Sequence, residues 1–561
     1  MAATLLAVAG ASVLAWCEAW PIAPLDRAWA DALVAHARPA APSDVVVIDV
    51  DDDSLAAVGQ WPWPRYRLAE LLEHAAAAKP AAVALDVLLA DADRTSLADM
   101  QARMQRDFDL DVSIAGVPSG LLDNDGYLGH TLARTGAIAG TYFFFDHASP
   151  GARPPARGVT FTGDLKLLEP DVATGVLEDA PGIAASPHAS GFVNCLPDAD
   201  GTLRRLPLVV DQQGTLYPSL ALAAAARAVG ASTVEVEGGR DGPVLRVGTR
   251  RIPVDARGRA WLTFPGSGWQ DTLSAVDVLA GRFDPARLRG KTVFVGTSVV
   301  GLNDMVRTAI DPRLPGVRAH AAMAQTLLSD TGVTVPSWAL AAETGAAALG
   351  AFLLLALHRR RQSTRRMVSI AAVLGLAWIF GGLALFVILQ CIVSPALPLI
   401  VGGLACATWT GARQVALRQR ALAWKGQLEN ERQVTIESMA AVAETRDPET
   451  GAHIKRTQYY VQAIARQLQR EGREARTLTD EYIHLLFLSA PLHDVGKVGV
   501  PDHILLKPGK LDTSEMAQMK RHAEFGRQII MSTARRIEGD NYLVIAGEIA
   551  ATHHEKWDGT G

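Results

Sequence analysis

A chain of 561 residues is too long for one hydrophobic core and implies several domains. Its formal net charge of -5 lacks the basic excess that tracks a polyanion, which excludes DNA or RNA as the expected partner. The four cysteines, Cys17, Cys195, Cys391 and Cys406, form no CxxC pair and three sit in apolar stretches, which excludes a disulfide scaffold and a zinc ribbon.

The chain opens with MAATLLAVAGASVLAW, apolar enough for part of a membrane span but short and without the basic residues that precede a signal anchor. Residues 1–20 are expected to be a partial N-terminal transmembrane segment whose true start lies upstream, with a cleaved signal peptide as the alternative. Next, Val45-Val46-Val47-Ile48 reads as a β-branched strand, followed by Asp49, Asp51, Asp52 and Asp53. Helical periodicity from Arg65 to Ala77 and a buried strand from Ala81 to Leu89 complete a βαβ unit. A strand at 291–298 and a helix at 315–328 follow much later, so residues 21–335 form an α/β domain. Two readings of its carboxylates stay open: a hard-cation site, or a strand end leading into a capped helix. Trp61 and Trp63 either line a ligand pocket or pack a Trp-Pro turn.

Apolar stretches at 336–357, 368–390 and 393–411 each approach the length of a bilayer-spanning helix. Arg359, Arg360, Arg361, Arg365 and Arg366 lie between the first two, and Arg413, Arg418 and Arg420 follow the third. Positive charge marks the cytoplasmic side, so 336–411 is expected to hold three transmembrane helices running out-to-in, in-to-out and out-to-in, with the α/β domain outside. Residues 412–435 are polar and helix-prone, with irregularly spaced apolar positions. They form either a solvated connector or a signalling helix that pairs in parallel with a second copy.

The chemistry is concentrated in the last segment, 436–561, which carries half of the 14 histidines. Glu449 and His453 are four apart, a spacing that puts both on one helical face. His493-Asp494, His522 and His553-His554 add imidazoles and a carboxylate. An N/O donor set without thiolates suits iron, manganese or another first-row ion, and its size implies more than one ion. Lys497, one helical turn beyond His493, stands as a cation beside them or as a surface lysine. Lys507 either reaches a phosphate or belongs to a turn.

Two families match these motifs. VVVIDVDDDSLAAVGQWPWPR, PAAVALDVLL, DADGTLRRLPLVV and GKTVFVGTSVVGLNDMV, in that order, resemble the second class of CHASE periplasmic sensor domains. AETRDPETGAHIKR, HDVGKVGVPDHILLKPGKL, MKRHAEFG and HHEKWDGTG resemble the HD-GYP branch of the metal-dependent HD phosphohydrolases. The second resemblance implies an all-α bundle that holds two or three divalent ions, iron or manganese, and hydrolyses cyclic di-GMP to pGpG or GMP. It makes Glu449, His453, His493, Asp494, His522, His553 and His554 metal ligands, with Asp494 and Lys497 catalytic. Lys497, Lys507, Asp558, Gly559 and Gly561 become substrate contacts. The HD-GYP pattern continues from DGTG into Tyr-Pro and a later Asp that this sequence does not reach, so the bundle is expected to be incomplete at its C-terminal end.

The expected protein is thus a multidomain receptor of the bacterial inner membrane and a homodimer, taking an unknown periplasmic ligand and cyclic di-GMP. A catalytically inactive interaction protein, or an HD phosphohydrolase for another nucleotide, are the alternatives.

Overall fold

The computed structural model describes residues 22–37, 44–118, 121–146, 158–264, 271–299, 305–329, 332–360, 362–445, 452–474, 476–536 and 541–560. The segment 1–20, expected to be a partial span, lies outside them. Two compact units divide the chain, Met1–Thr410 and Gly411–Gly561.

In the first unit, the continuous apolar runs at Val45–Val50 (β1) and Thr292–Thr297 (β6) are buried at every residue. That is the pattern of central strands covered on both faces, as in a parallel sheet. They pair in parallel with each other, within one sheet whose other parallel strands are Ala82–Leu85 (β2), Ile138–Phe144 (β3), Ala189–Phe192 (β4) and Asp271–Ser274 (β5). The strand order is β5-β1-β6-β2-β3, with β4 pairing to β3 and the antiparallel Gly175–Leu177 also at β3. Alternate side chains feed two cores. Val45, Val47 and Phe294 pack with helices Leu220–Ala228 (α5) and Gly316–Ser329 (α6). Val46, Ile48, Val293 and Val295 pack on the other face with Arg65–Ala77 (α3) and Asn124–Thr135 (α4).

The aspartates after β1 follow the capping alternative. Asp51 caps the short helix Asp52–Val58 (α2): its Oδ1 accepts from Ser54 N at 2.9 Å, Ser54 Oγ at 2.6 Å and Ser274 Oγ at 2.8 Å. Asp49 is buried and accepts from Ser298 N at 2.8 Å, while Asp52 and Asp53 lie exposed in the first turn of α2. The strand expected over 81–89 ends at Leu85. The Asp86 N–H still bonds to Val295 O, but beyond it the chain leaves the sheet and the Leu89 carbonyl is taken by Ala180 N. Trp63 packs the turn, buried and donating to Gly59 O at 3.0 Å.

A contact that periodicity does not reveal ties Ile22–Val34 (α1) to the α/β domain. Arg204 is buried, and its guanidinium grips Asp31 at 2.7 and 2.9 Å and Asp200 at 2.9 and 2.9 Å. Such a fork matches two carboxylates at once, and its charge is costly to leave unpaired.

Helices Ala339–Arg359 (α7) and Thr364–Leu389 (α8) are long and apolar enough to cross a membrane. They bury little of that surface: Phe380 and Ile388 are 63% and 66% exposed. A soluble helix hides one apolar stripe, whereas these are apolar all round. The third stretch begins the helix Ala396–Glu444 (α9), which continues unbroken through the segment expected to be a linker.

The second unit is helical. After α9 come Ala452–Arg470 (α10), Asp480–Ser489 (α11), Thr513–Lys520 (α12), His522–Ala534 (α13) and Tyr542–Thr552 (α14). Ile436, Phe487, Leu492, Ile530, Ala546 and Ala550 form its core.

The Arg204 hydrogen bonds, outweighing partial burial, hold the Asp200 carboxyl down to about 2. Because that value lies below the ~3.9 of an unfolded aspartate, the group contributes stability above pH ~4 that disappears as pH falls through about 2. Asp200→Asn is therefore expected to lower the melting temperature of the full chain at neutral pH, with the gap to wild type closing between pH ~4 and ~2. Thermal unfolding across that range checks it, and a gap independent of pH would contradict the assignment.

Candidate metal centre

The site is assembled from turns and helix ends rather than from one helix. Pro491, which has no N–H to donate, stands where α11 gives way to a 3-10 turn at Ala490–Leu492, and a second 3-10 turn covers Val495–Gly499. His493 and Asp494 sit between the two. His522 opens α13, and His553 caps the end of α14.

Small residues let these elements meet. A Cβ on Gly496 would come within 1.9 Å of His522 O and 2.3 Å of Gly526 N, and a Cβ on Gly526 would lie 3.2 Å from Ala550 Cβ. The backbone of the HDVGK turn thus rests on the first turn of α13, which rests on α14. Two buried polar contacts lock the neighbours: Gln458 Nε2 donates to Phe487 O at 2.8 Å, and Ser489 Oγ lies 2.7 Å from Tyr542 O. The first fixes α10, the carrier of His453, against α11.

Asp494 is the focus. One ligand atom each from Asp494, His522, His553 and His554 lie within 4.8 Å of one another. His493 Nε2 is 3.2 Å from Asp494 Oδ2, and His522 and His553 Nε2 are 3.4 and 3.5 Å from Oδ1. The imidazole orientation is set from behind: His493, His522 and His553 turn Nδ1 toward the carbonyls of Ala490, Met519 and Ala550 at 3.0, 2.7 and 3.0 Å. An Nδ1 proton held there leaves the Nε2 lone pair facing Asp494.

Two features of this geometry call for a cation. Asp494 Oδ1 is buried without a hydrogen-bond partner among the described residues, and the Nε2 atoms of His522 and His553 face each other at 3.3 Å. Converging lone pairs around a carboxylate repel unless positive charge lies between them, and an imidazole-carboxylate set of this kind fits a divalent first-row ion. Burial opposes ionisation of Asp494, but the adjacent His493 and His553 rings and the ammonium of Lys497 outweigh it and hold its carboxyl far below the usual range. Burial also opposes charging of His493, yet the adjacent carboxylate pulls its pKa up. Burial lowers His522, and burial together with the neighbouring imidazoles lowers His554, which keeps both neutral and able to donate lone pairs.

The other expected residues fall as follows. The His453 ring lies 6.1 Å from that of His493. Lys497 Nζ is 2.9 Å from Asp494 Oδ2 rather than above His493, because a 3-10 turn eclipses residues three apart where an α-helix would align those four apart. Lys507 pairs with Glu515 on α12. The exposed Asp558 accepts from Thr560 N and Oγ1 at 3.1 and 2.7 Å, and Gly559 follows at φ 74°. Glu449 and Gly561 lie outside the described residues. Gly496, Gly526, Gln458 and Ser489 position the site yet were not singled out from sequence. Both glycines stand inside matched motifs, but only packing shows why a side chain is forbidden there.

Comparison with known proteins is consistent with this division. The CHASE2 domain profile matches residues 3–358, and the HD domain profile matches residues 450–560. A cyclic di-GMP phosphodiesterase of Vibrio cholerae is 52% identical over 139 residues, 25% of this chain and 28% of that protein. The response regulator RpfG of Xanthomonas campestris pv. campestris, also named a cyclic di-GMP phosphodiesterase, is 35% identical over 149 residues, 27% of this chain and 36% of that one. A 3'3'-cGAMP-specific phosphodiesterase of Vibrio cholerae is 43% identical over 126 residues, 22% of each chain. The chain thus spans well under half the length of these relatives.

Gly496→Ala is expected to destabilise the C-terminal unit by about 3 kcal/mol or more, since the added methyl meets backbone that cannot step aside. Gly426→Ala, on an exposed stretch of α9 with nothing within 4 Å, should be neutral or stabilise by up to ~1 kcal/mol. Denaturant unfolding of both variants makes the comparison, and equal stabilities would refute the packing account.

Proposed function

We propose that this chain, which belongs to the CHASE2 domain family, is a membrane receptor whose C-terminal HD-GYP domain hydrolyses cyclic di-GMP to pGpG or onward to GMP. The observation that carries this reading is the half-buried Asp494 with histidine Nε2 atoms turned on it, within a segment similar to proteins named as cyclic di-GMP phosphodiesterases. Glu449, His453, His493, Asp494, His522, His553 and His554 are assigned as ligands of two or three divalent ions, iron or manganese. Such ions, when bound, acidify a water into a nucleophile and neutralise phosphate oxygens.

The chain's own residues do the rest. Asp494 is kept ionised by its imidazole and ammonium neighbours, and the carbonyls of Ala490, Met519 and Ala550 keep the Nε2 lone pairs aimed at it. Lys497 sits at the carboxylate with its charge beside the cluster, where a phosphodiester oxygen gains negative charge as the bond breaks. Lys507, Asp558, Gly559 and Gly561 are assigned to the substrate. For Lys507 this means exchanging Glu515 for phosphate, and a solvent-facing ion pair costs little to give up.

In the same reading α7, α8 and the apolar beginning of α9 cross a bacterial inner membrane, with the arginines near 359–366 and 413–420 cytoplasmic and the α/β domain in the periplasm. The continuity of α9 to Glu444 supports a signalling helix that pairs with a second copy in a homodimer. A second substrate reading, 3'3'-cGAMP, is favoured by the relative of that specificity at 43% identity.

Turnover by the purified full chain with manganese, followed by chromatography of the products, tests the assignment. Cyclic di-GMP should be consumed faster than 3'3'-cGAMP, and Asp494→Asn or His522→Ala should lower the rate about a hundredfold or more. Wild-type turnover by either variant would refute the metal-ligand roles, and preference for 3'3'-cGAMP would transfer the assignment to that substrate.

A further inference from the structure

The last turns of α9 are built into the core of the metal-binding unit. Ile436, Ala440 and Ala443, spaced four and three apart, are buried, while Val434, Met439 and Val442 between them are exposed. Ile436 is the large member of that narrow stripe. It is 2% exposed and shares one apolar cluster with Leu492, Val495, Ile530 and Ala550. Each of these belongs to an element that carries an assigned ligand. Leu492 and Val495 flank the His493-Asp494 pair in the chain, and Ile530 lies on α13, which His522 opens. Ala550 lies on α14, and its carbonyl holds His553 Nδ1 at 3.0 Å.

Two polar contacts extend the attachment. Arg432, four residues before Ile436 and so on the same helical face, sets its guanidinium 4.1 Å from the centre of the Tyr542 ring, at the first residue of α14. Glu437 pairs with Lys455 of α10 at 3.4 Å, two residues beyond His453. The end of α9 therefore reaches the HDVGK turn, α10, α13 and α14, the four places that supply His453, His493, Asp494, His522 and His553.

Such a position has a physical consequence. A close-packed core transmits displacement instead of absorbing it, so the side chain at its centre fixes the spacing of the elements around it. Metal binding is sensitive to that spacing, because ligand distances must hold to within about 0.2 Å. The 3.3 Å between the Nε2 atoms of His522 and His553 is set by how α13 and α14 lie, and both lie against the cluster that holds Ile436.

We infer that the end of α9 is the regulatory input to the metal centre: Ile436, steadied by Arg432, is a positioning residue through which α9 sets the donor spacing and with it the affinity for divalent ions. The inference deepens the proposed function and rests on its metal assignment.

Titration of the metal-free full chain in detergent with manganese, in competition with a fluorescent chelator, tests it without reference to turnover. Ile436→Ala should weaken manganese binding about tenfold, the low end of the cost of disturbing groups that support metal ligands. Ile436→Leu, which conserves volume, should restore most of that affinity. Leu478→Ala serves as the control for lost stability alone, since Leu478 packs with Ala465 and Ile483, toward the far end of α10 from His453. It should lower the melting temperature and leave manganese affinity unchanged. Arg432→Gln, which leaves the apolar core intact, should weaken binding about threefold and keeps the test decisive if Ile436→Ala does not fold. A wild-type chain without saturable manganese binding would overturn the metal assignment and this inference with it. Saturable wild-type binding that a folded Ile436→Ala, or in its place Arg432→Gln, leaves unchanged would overturn this inference alone, as would an equal loss in Leu478→Ala.

Discussion

Asp494 is a half-buried carboxylate with one oxygen, Oδ1, shut off from water, and the C-terminal unit is arranged around the consequences. An isolated charge in such a place would be expelled or protonated. Here it is surrounded by imidazoles whose far nitrogens are held by the carbonyls of Ala490, Met519 and Ala550. That second layer decides which nitrogen faces inward and makes the cluster a donor set rather than a pile of rings. It depends in turn on the close approach at Gly496 and Gly526, because the carbonyls and rings belong to elements that converge only where no Cβ intervenes. Backbone packing, ring orientation and the demand for a cation are thus successive links of one chain of cause.

The α/β domain follows a different logic. Its central strands are apolar on both sides, which commits helices to both faces and opens the strand ends where the helix connections diverge. Charge enters at the edges, where the Arg204 fork ties α1 to the domain. Burial therefore builds the scaffold, while the paired charges of the Arg204 fork mark where it is fastened.

Much of this was legible in the sequence, for identifiable reasons. The helix read from Arg65 to Ala77 appears with those bounds, because its apolar residues face one core at helical spacing. The strand expected over 291–298 appears at Thr292–Thr297, and the first two apolar stretches appear as α7 and α8. The ligand motifs were visible because imidazoles and carboxylates are distinctive at short range. What sequence could not give was long-range or geometric. The grip of Arg204 on Asp31 spans 173 positions, the eclipsing of Asp494 and Lys497 depends on a 3-10 turn, and the ban on a side chain at Gly496 comes from the carbonyl of His522. The two tryptophans divided between the alternatives, with Trp63 packing the turn and Trp61 lining a cavity.

The central claim is that Asp494 and the surrounding imidazoles form a metal-binding site. Elemental mass spectrometry on the full chain, produced with iron and manganese supplied and then desalted, measures that directly. The account predicts at least one first-row divalent ion retained per wild-type chain and its loss in a folded Asp494→Asn variant. A wild-type chain that retains none, or a variant that retains as much, would contradict it.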